Sequence, residues 1–136
     1  MVYLETSALA KLYVVEAGSP DVVSLAERGR PWLYTSRVTY TEVLSLLARC
    51  FREGRIRRAD YQRQKRTFLR DWANLHMVEL TVGSLTPAER VIEQHALRGF
   101  DAIHLCSALL LGTPEFACFD TRLRRAAQTE GLAVLP

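Results

Sequence analysis

Val2-Tyr3-Leu4-Glu5-Thr6-Ser7-Ala8-Leu9-Ala10-Lys11-Leu12-Tyr13 opens the chain, and its order of parts decides the fold. Val2-Tyr3-Leu4 is a short β-prone run. Thr6 or Ser7 can cap a helix running through Ala8 to Val15, which Ala17-Gly18 ends. Between strand and helix stands one acid, Glu5. The same order returns near the other terminus. Phe116-Ala117-Cys118-Phe119 reads as a buried strand, Asp120 follows it, and Asp120 or Thr121 caps a helix over 122–129.

The middle of the chain repeats the alternation. Ser19 at an N-cap and Pro20 at the first helical position start a helix that Gly29 stops. Residues 32–35 read as a strand. A long helix over 37–52 carries Val43, Leu46, Leu47 and Cys50 at helical spacing, and Gly54 breaks it. A second amphipathic helix over 57–74 turns Tyr61, Phe68, Leu69 and Trp72 inward. Residues 77–80 form a strand, 87–97 a helix closed by Gly99, and 102–111 an apolar helix that Asp101 can cap. The last strand is 132–135. Five apolar strands alternating with helices predict an α/β fold with a parallel sheet and right-handed crossovers. Such sheets place their functional crevice at the carboxyl ends of the strands, where strand order reverses.

Composition agrees with one folded unit. The 136 residues are 49% hydrophobic, with seven Gly and five Pro, which excludes disordered, collagen-like and linker chains. The length suits a single domain over 1–136. The apolar run 102–111 is interrupted by His104 and Ser107 and is too short to span a bilayer. No basic n-region precedes the first apolar residues, so the expected compartment is the cytoplasm. Cys50, Cys106 and Cys118 form no CxxC pair, and His76, His95 and His104 do not join them at zinc spacing. Buried thiols in a reduced compartment are expected.

The net charge of +3 hides an uneven distribution. Between Arg49 and Arg70 nine cations face only Glu53 and Asp60, a surplus of seven, which leaves the rest of the chain at −4. A positive block suggests a polyanion or an acidic partner. A solvated helical hairpin is the plain alternative. Arg outnumbers Lys sixteen to two, and its planar fork suits phosphate.

Four acids border apolar segments. Glu5 and Asp120 directly follow strands, Asp101 opens an apolar helix, and Glu42 lies in the first turns of the helix after the 32–35 strand. Each has a plain reading. Asp101 and Asp120 are good N-caps, Glu42 can pair with Thr39 in a capping box, and Glu5 favours the first turn of its helix. All four nevertheless fall on the predicted crevice side. Convergent carboxylates repel and resist desolvation unless a cation sits among them. Hard oxygen donors suit Mg²⁺ or Mn²⁺. Such an ion lowers the pKa of a bound water and stabilises an in-line phosphoryl displacement. His104, three residues after Asp101, reads as a satisfied core or edge histidine. Ser7 beside Glu5 can cap the helix or bond a metal-ligand carboxylate.

The residues 3–13 quoted above resemble the N-terminal motif of PIN-domain ribonucleases, especially VapC-type toxins of toxin–antitoxin pairs. Thr41-Glu42-Val43 resembles the family's second acid. Leu97-Arg98-Gly99-Phe100-Asp101-Ala102-Ile103-His104-Leu105 is similar to its third-acid motif and is the most specific match. Phe119-Asp120-Thr121-Arg122-Leu123, with Ala126-Ala127 and Gly131-Leu132, resembles the C-terminal segment. The resemblance implies a three-layer α/β/α sandwich with a five-stranded parallel sheet. It implies Mg²⁺- or Mn²⁺-dependent endonucleolytic cleavage of RNA, a homodimer, and inhibition by a cognate antitoxin. Glu42, Asp101 and Asp120 take the acid roles, and Ser7, beside Thr6, takes the hydroxyl near the first acid.

The first acid departs from the pattern, because the family usually has Asp where this chain has Glu5. The Glu5 carboxylate reaches about 1.5 Å further, whereas catalytic constellations tolerate about 0.5 Å.

The leading expectation is a toxin-type endoribonuclease whose metal is held by Glu5, Glu42, Asp101 and Asp120. Its RNA would be single-stranded or looped, since A-form duplex edges are poorly accessible. Arg49, Arg52, Arg55, Arg57, Arg58 and Arg66 would meet RNA or an acidic antitoxin segment. Leu12, Tyr13 and Tyr40 are apolar candidates for a dimer contact. The alternative is a catalytically weak module that binds RNA or protein. A phospho-accepting receiver domain would want an acidic pair after the first strand and a late Lys. This chain has one acid there and no Lys beyond Lys65.

Overall fold

A computed structural model of the chain describes residues 1–29, 32–112 and 115–136. Five strands form one parallel sheet: β1 (Val2–Leu4), β2 (Leu33–Ser36), β3 (His76–Val78), β4 (Glu115–Ala117) and β5 (Ala133–Leu135). Their order is β3-β2-β1-β4-β5. The chain therefore builds outward from β1 to one edge, then returns to the other side of β1. The reversal lies between β1 and β4, where a crevice is expected at the carboxyl ends.

The helices are α1 (Thr6–Leu9), running into a 3₁₀ turn at Ala10–Leu12, then α2 (Ser19–Gly29), α3 (Thr39–Arg52) and α4 (Arg58–Trp72). After β3 come α5 (Val82–Leu85), α6 (Ala88–His95), α7 (Gly99–Leu111) and α8 (Thr121–Thr129). Strand alternation divides them into two layers. Val2 and Leu4 of β1 pack with Leu9, Leu25, Val43, Leu47 and Phe68 on one face. Tyr3, between them, packs with Phe116, Leu105 and Leu123 on the other. The period of two along a strand forces this split. The result is the expected α/β/α sandwich.

Several local expectations change. The first helix is shorter than 8–15, and its cap is Glu5 itself, whose side chain accepts the Ser7 amide. Ser19 does not cap α2 as expected. Its hydroxyl accepts from the Glu16 amide at 3.1 Å and donates to the Val14 carbonyl at 3.3 Å. An unforeseen turn of helix, α5, is opened by a reciprocal Thr81–Ser84 capping box. Helix α6 ends at Ala96 in the left-handed region (φ 51°), so Gly99 begins α7 instead of closing α6.

The tertiary packing also moves side chains. Leu69 faces solvent at 40% exposure, because Phe68 takes the core position beside it. Tyr13 is buried against Phe68, and Tyr40 is half-buried against Phe68 and Trp72, so this chain's own core engages two of the expected dimer contacts. Leu12 is half-buried against the same core. All three cysteines are buried free thiols. Among the described residues no helix is long and apolar enough to cross a membrane.

Candidate active site

The carboxyl end of β1 delivers Glu5 into the reversal point. Its amide continues the ladder to the Ala117 carbonyl of β4 at 3.0 Å, and its side chain turns back to cap α1. Ser7 donates its amide (2.8 Å) and its hydroxyl to Glu5 Oε2, leaving Oε1 to neither. The Ser7 oxygen in turn accepts the Phe119 amide at 2.8 Å. One hydroxyl thus ties the first acid to the segment that carries Asp120.

That segment is held from its far side as well. Strand β4 ends at Ala117, two residues before the expected end, and Phe119 leaves the ladder. Lys11 Nζ lies 4.3 Å from the Phe119 ring centroid. Gly18 (φ +87°) lies against the same ring, and a Cβ there would stand 2.6 Å from it. The clamp fixes where Asp120 begins. Asp120 then caps α8, accepting the Leu123 amide at 2.8 Å on Oδ1.

Asp101 is not the cap of α7. Arg98 holds that position without a side-chain bond, and Asp101 lies in the first turn. Burial raises its pKa, and the nearby Asp120 charge raises it further against the Arg98 amide and guanidinium. Asp101 and Asp120 line a cleft of about 360 Å³ with Arg98, Phe119, Thr121 and Arg122.

Glu42 makes no capping box with Thr39, whose hydroxyl meets Thr35 instead at 2.7 Å. Its Oε2 accepts from the Thr6 hydroxyl and from His104 Nε2 at 2.8 Å. Burial works against the carboxylate, yet the His104 bond and charge, with Thr6, hold it below the usual carboxylate range. His104 is buried, as expected of a satisfied core histidine, and bonds Tyr3 Oη through Nδ1 at 2.9 Å. A carboxylate only accepts, so Nε2 carries a proton towards Glu42, and Nδ1 is left to pair with the Tyr3 hydroxyl. His104 therefore belongs to the site's frame, which its apolar neighbours concealed. Its spacing three residues after Asp101 was the available signal.

The four acids thus arrive from the β1 end, α3, α7 and the β4–α8 join, all on one rim. Among the described residues no three acids, histidines or cysteines close a metal cage in this arrangement. The donor chemistry still fits a hard cation, which is commonly held by one or two carboxylates and several waters. Asp101 and Asp120 are such a pair, and their mutual repulsion is what a cation relieves.

The basic block lies on the α3–α4 hairpin. Arg49, Arg52, Arg55, Arg57, Arg58 and Arg66 are all exposed. Arg55 approaches Glu16 at 3.8 Å and Arg58 covers the Phe51 ring. Of these six, Arg49 lines a cleft of about 450 Å³ with Thr6, Glu42 and Phe100.

The PIN-domain family model matches residues 2–128. Ribonuclease VapC45 of Mycobacterium tuberculosis (strain CDC 1551 / Oshkosh) is 36% identical over 138 residues, covering 100% of this chain and 95% of the relative. The crystal structure of M. tuberculosis VapC20, described as a Sarcin-Ricin loop cleaving toxin, aligns with a TM-score of 0.72 at 18% identity. The match covers 98% of this chain and 97% of that one. A toxin–antitoxin complex from Klebsiella pneumoniae aligns with a TM-score of 0.68 at 17% identity, covering 89% and 88%. The two structures speak for the fold alone. Together with the near-complete family match and the full-length relative, they leave one conclusion: the chain belongs to the PIN-domain family.

Proposed function

We propose that the protein is an endoribonuclease, the toxin of a toxin–antitoxin pair, acting through one PIN domain over residues 1–136 in the cytoplasm. The observation that carries this reading is the Asp101–Asp120 pair, which shares one cleft and in which the Asp120 charge helps to raise the Asp101 pKa. The similarity to Ribonuclease VapC45 supports RNA as the substrate. The Klebsiella complex supports an antitoxin as the partner.

Asp101 and Asp120, with Glu5 and Glu42, would hold Mg²⁺ or Mn²⁺. When bound, such an ion supplies a water of lowered pKa and a positive charge opposite the phosphate. The chain's own residues do the rest. Ser7 and Thr6 orient Glu5 and Glu42. His104 keeps Glu42 ionised and fixed in rotamer. Arg98 and Arg122 flank the Asp101–Asp120 cleft, where a phosphate's charge needs partners. Mn²⁺-dependent cleavage of a structured RNA by purified protein tests the reading, with Asp101→Asn as control. Equal activity in the variant would remove Asp101 from the site.

One observation favours a second reading, a weakly catalytic binding module. Glu5 is already engaged as the α1 cap through both Ser7 groups. Glu5→Asp decides between them, since a large gain in cleavage would mark the present site as degenerate. A homodimer is the expected assembly, and a monomeric mass at micromolar concentration would count against it.

A further inference from the structure

Two clefts open on the rim, and the first turn of α7 separates them. Successive helical residues point about 100° apart, so Asp101 lines the cleft with Asp120 while Phe100 lines the one with Glu42 and Arg49. Phe100 is 56% exposed, an unusual position for a large aromatic next to a carboxylate site. Among the described residues it stacks on no other ring. Arg49 is exposed in the same cleft and forms no ion pair among the described residues, the Thr41 and Ser45 side chains add hydroxyls, and Glu42 and Leu46 share the lining.

An open aromatic face, an exposed guanidinium and hydroxyl groups in one cleft are the components that hold a single nucleotide. The ring takes a base face, Arg49 takes a phosphate and the hydroxyls meet the sugar. We propose that this cleft is a nucleotide subsite, in which Phe100 stacks the base of a residue next to the one whose phosphate lies over Asp101 and Asp120. The inference rests on the nuclease reading for its substrate class, and it adds the residue that grips the base. Stacking accepts any base face, so Phe100 contributes affinity and register. An apolar ring of this kind also serves in protein contacts, but the neighbouring Arg49 and hydroxyls favour a nucleotide over an apolar peptide side chain.

The test uses the full chain in EDTA with a short single-stranded ribo-oligonucleotide carrying 2-aminopurine, whose fluorescence is quenched by stacking. Wild-type protein is expected to bind and quench the probe at one position of the oligonucleotide. Phe100→Ala should weaken binding about tenfold and abolish quenching, while Phe100→Trp should keep both. Arg49→Gln should lower the slope of log affinity against log salt by about 0.7 and leave quenching in the residual complex. Unchanged quenching in Phe100→Ala, or no probe binding by wild type, would overturn the subsite and leave the ring to a protein partner. Wild-type cleavage in Mn²⁺, read on the same preparation, separates the two readings. Cleavage without stacking would retain the nuclease and remove the subsite, and stacking without cleavage would do the reverse.

Discussion

The inner and outer acids of the rim live in different electrostatic worlds. Glu42 is half-buried, yet it sits below its ordinary pKa because His104 and Thr6 donate to it. Glu5 is buried and organised by two Ser7 donors. Asp101, less enclosed, sits above its ordinary pKa because burial and Asp120 act together and Arg98 offsets them only partly. The protein has therefore satisfied its inner acids with its own hydrogen bonds and left its outer pair in mutual repulsion. A buried carboxylate without donors would cost more than the fold can absorb. A half-exposed pair is tolerable, and it holds an unmet demand for positive charge.

Breaking the outer pair should have the largest functional effect. Asp101→Asn should lower Mn²⁺-dependent RNA cleavage by more than about 100-fold, since even partners of metal ligands cost 10–100-fold when lost. Circular dichroism should show the fold intact. Loss of the inner support should come next. His104→Leu strands the Tyr3 hydroxyl and frees Glu42, so cleavage should fall about 10–100-fold and stability by about 1–3 kcal/mol. Urea unfolding and initial rates measure the two effects separately.

A subtler consequence concerns stability. Asp101's folded pKa lies above its unfolded value, so the folded state binds the extra proton and the ionised pair opposes folding at neutral pH. Asp101→Asn should then raise Tm slightly at pH 7 without added metal, and the gain should vanish as pH falls below the ordinary carboxylate range. An unchanged Tm across that range would remove the repulsion from the comparison.

Glu130 supplies the opposite sign far from the rim. Arg90 holds it at 2.7 Å through both oxygens and His95 at 2.8 Å, bringing its pKa down to about 2. Its contribution is present above the ordinary Glu value and is lost as pH falls toward about 2. Glu130→Gln should therefore lower Tm at pH 7 and matter progressively less in acid. The smallest stability effect is expected on the hairpin. Arg52→Glu and Arg57→Glu should change stability by under about 0.5 kcal/mol, while reducing RNA affinity and its salt dependence.

The sequence by itself determined the parallel α/β sheet, because its five strands and every helix but α5 announce themselves through hydrophobic period and caps. It also determined that Glu5 leaves a strand end, since that acid directly adjoins its apolar run, whereas β4 stops at Ala117, three residues short of Asp120. Only the tertiary structure decided which partners those acids meet. His104 reaches Tyr3 across 101 positions and Glu42 across 62, a link that strand order creates and no local pattern encodes. Glu42's capping box lost to that link, because a buried histidine is a stronger partner than an exposed helix end. The same holds for the cations. Nine of them look equivalent along 49–70, but helix packing brings Arg49 to the rim beside Phe100. Hydrophobic period is a property of neighbours in the chain, whereas a site is a property of neighbours in space.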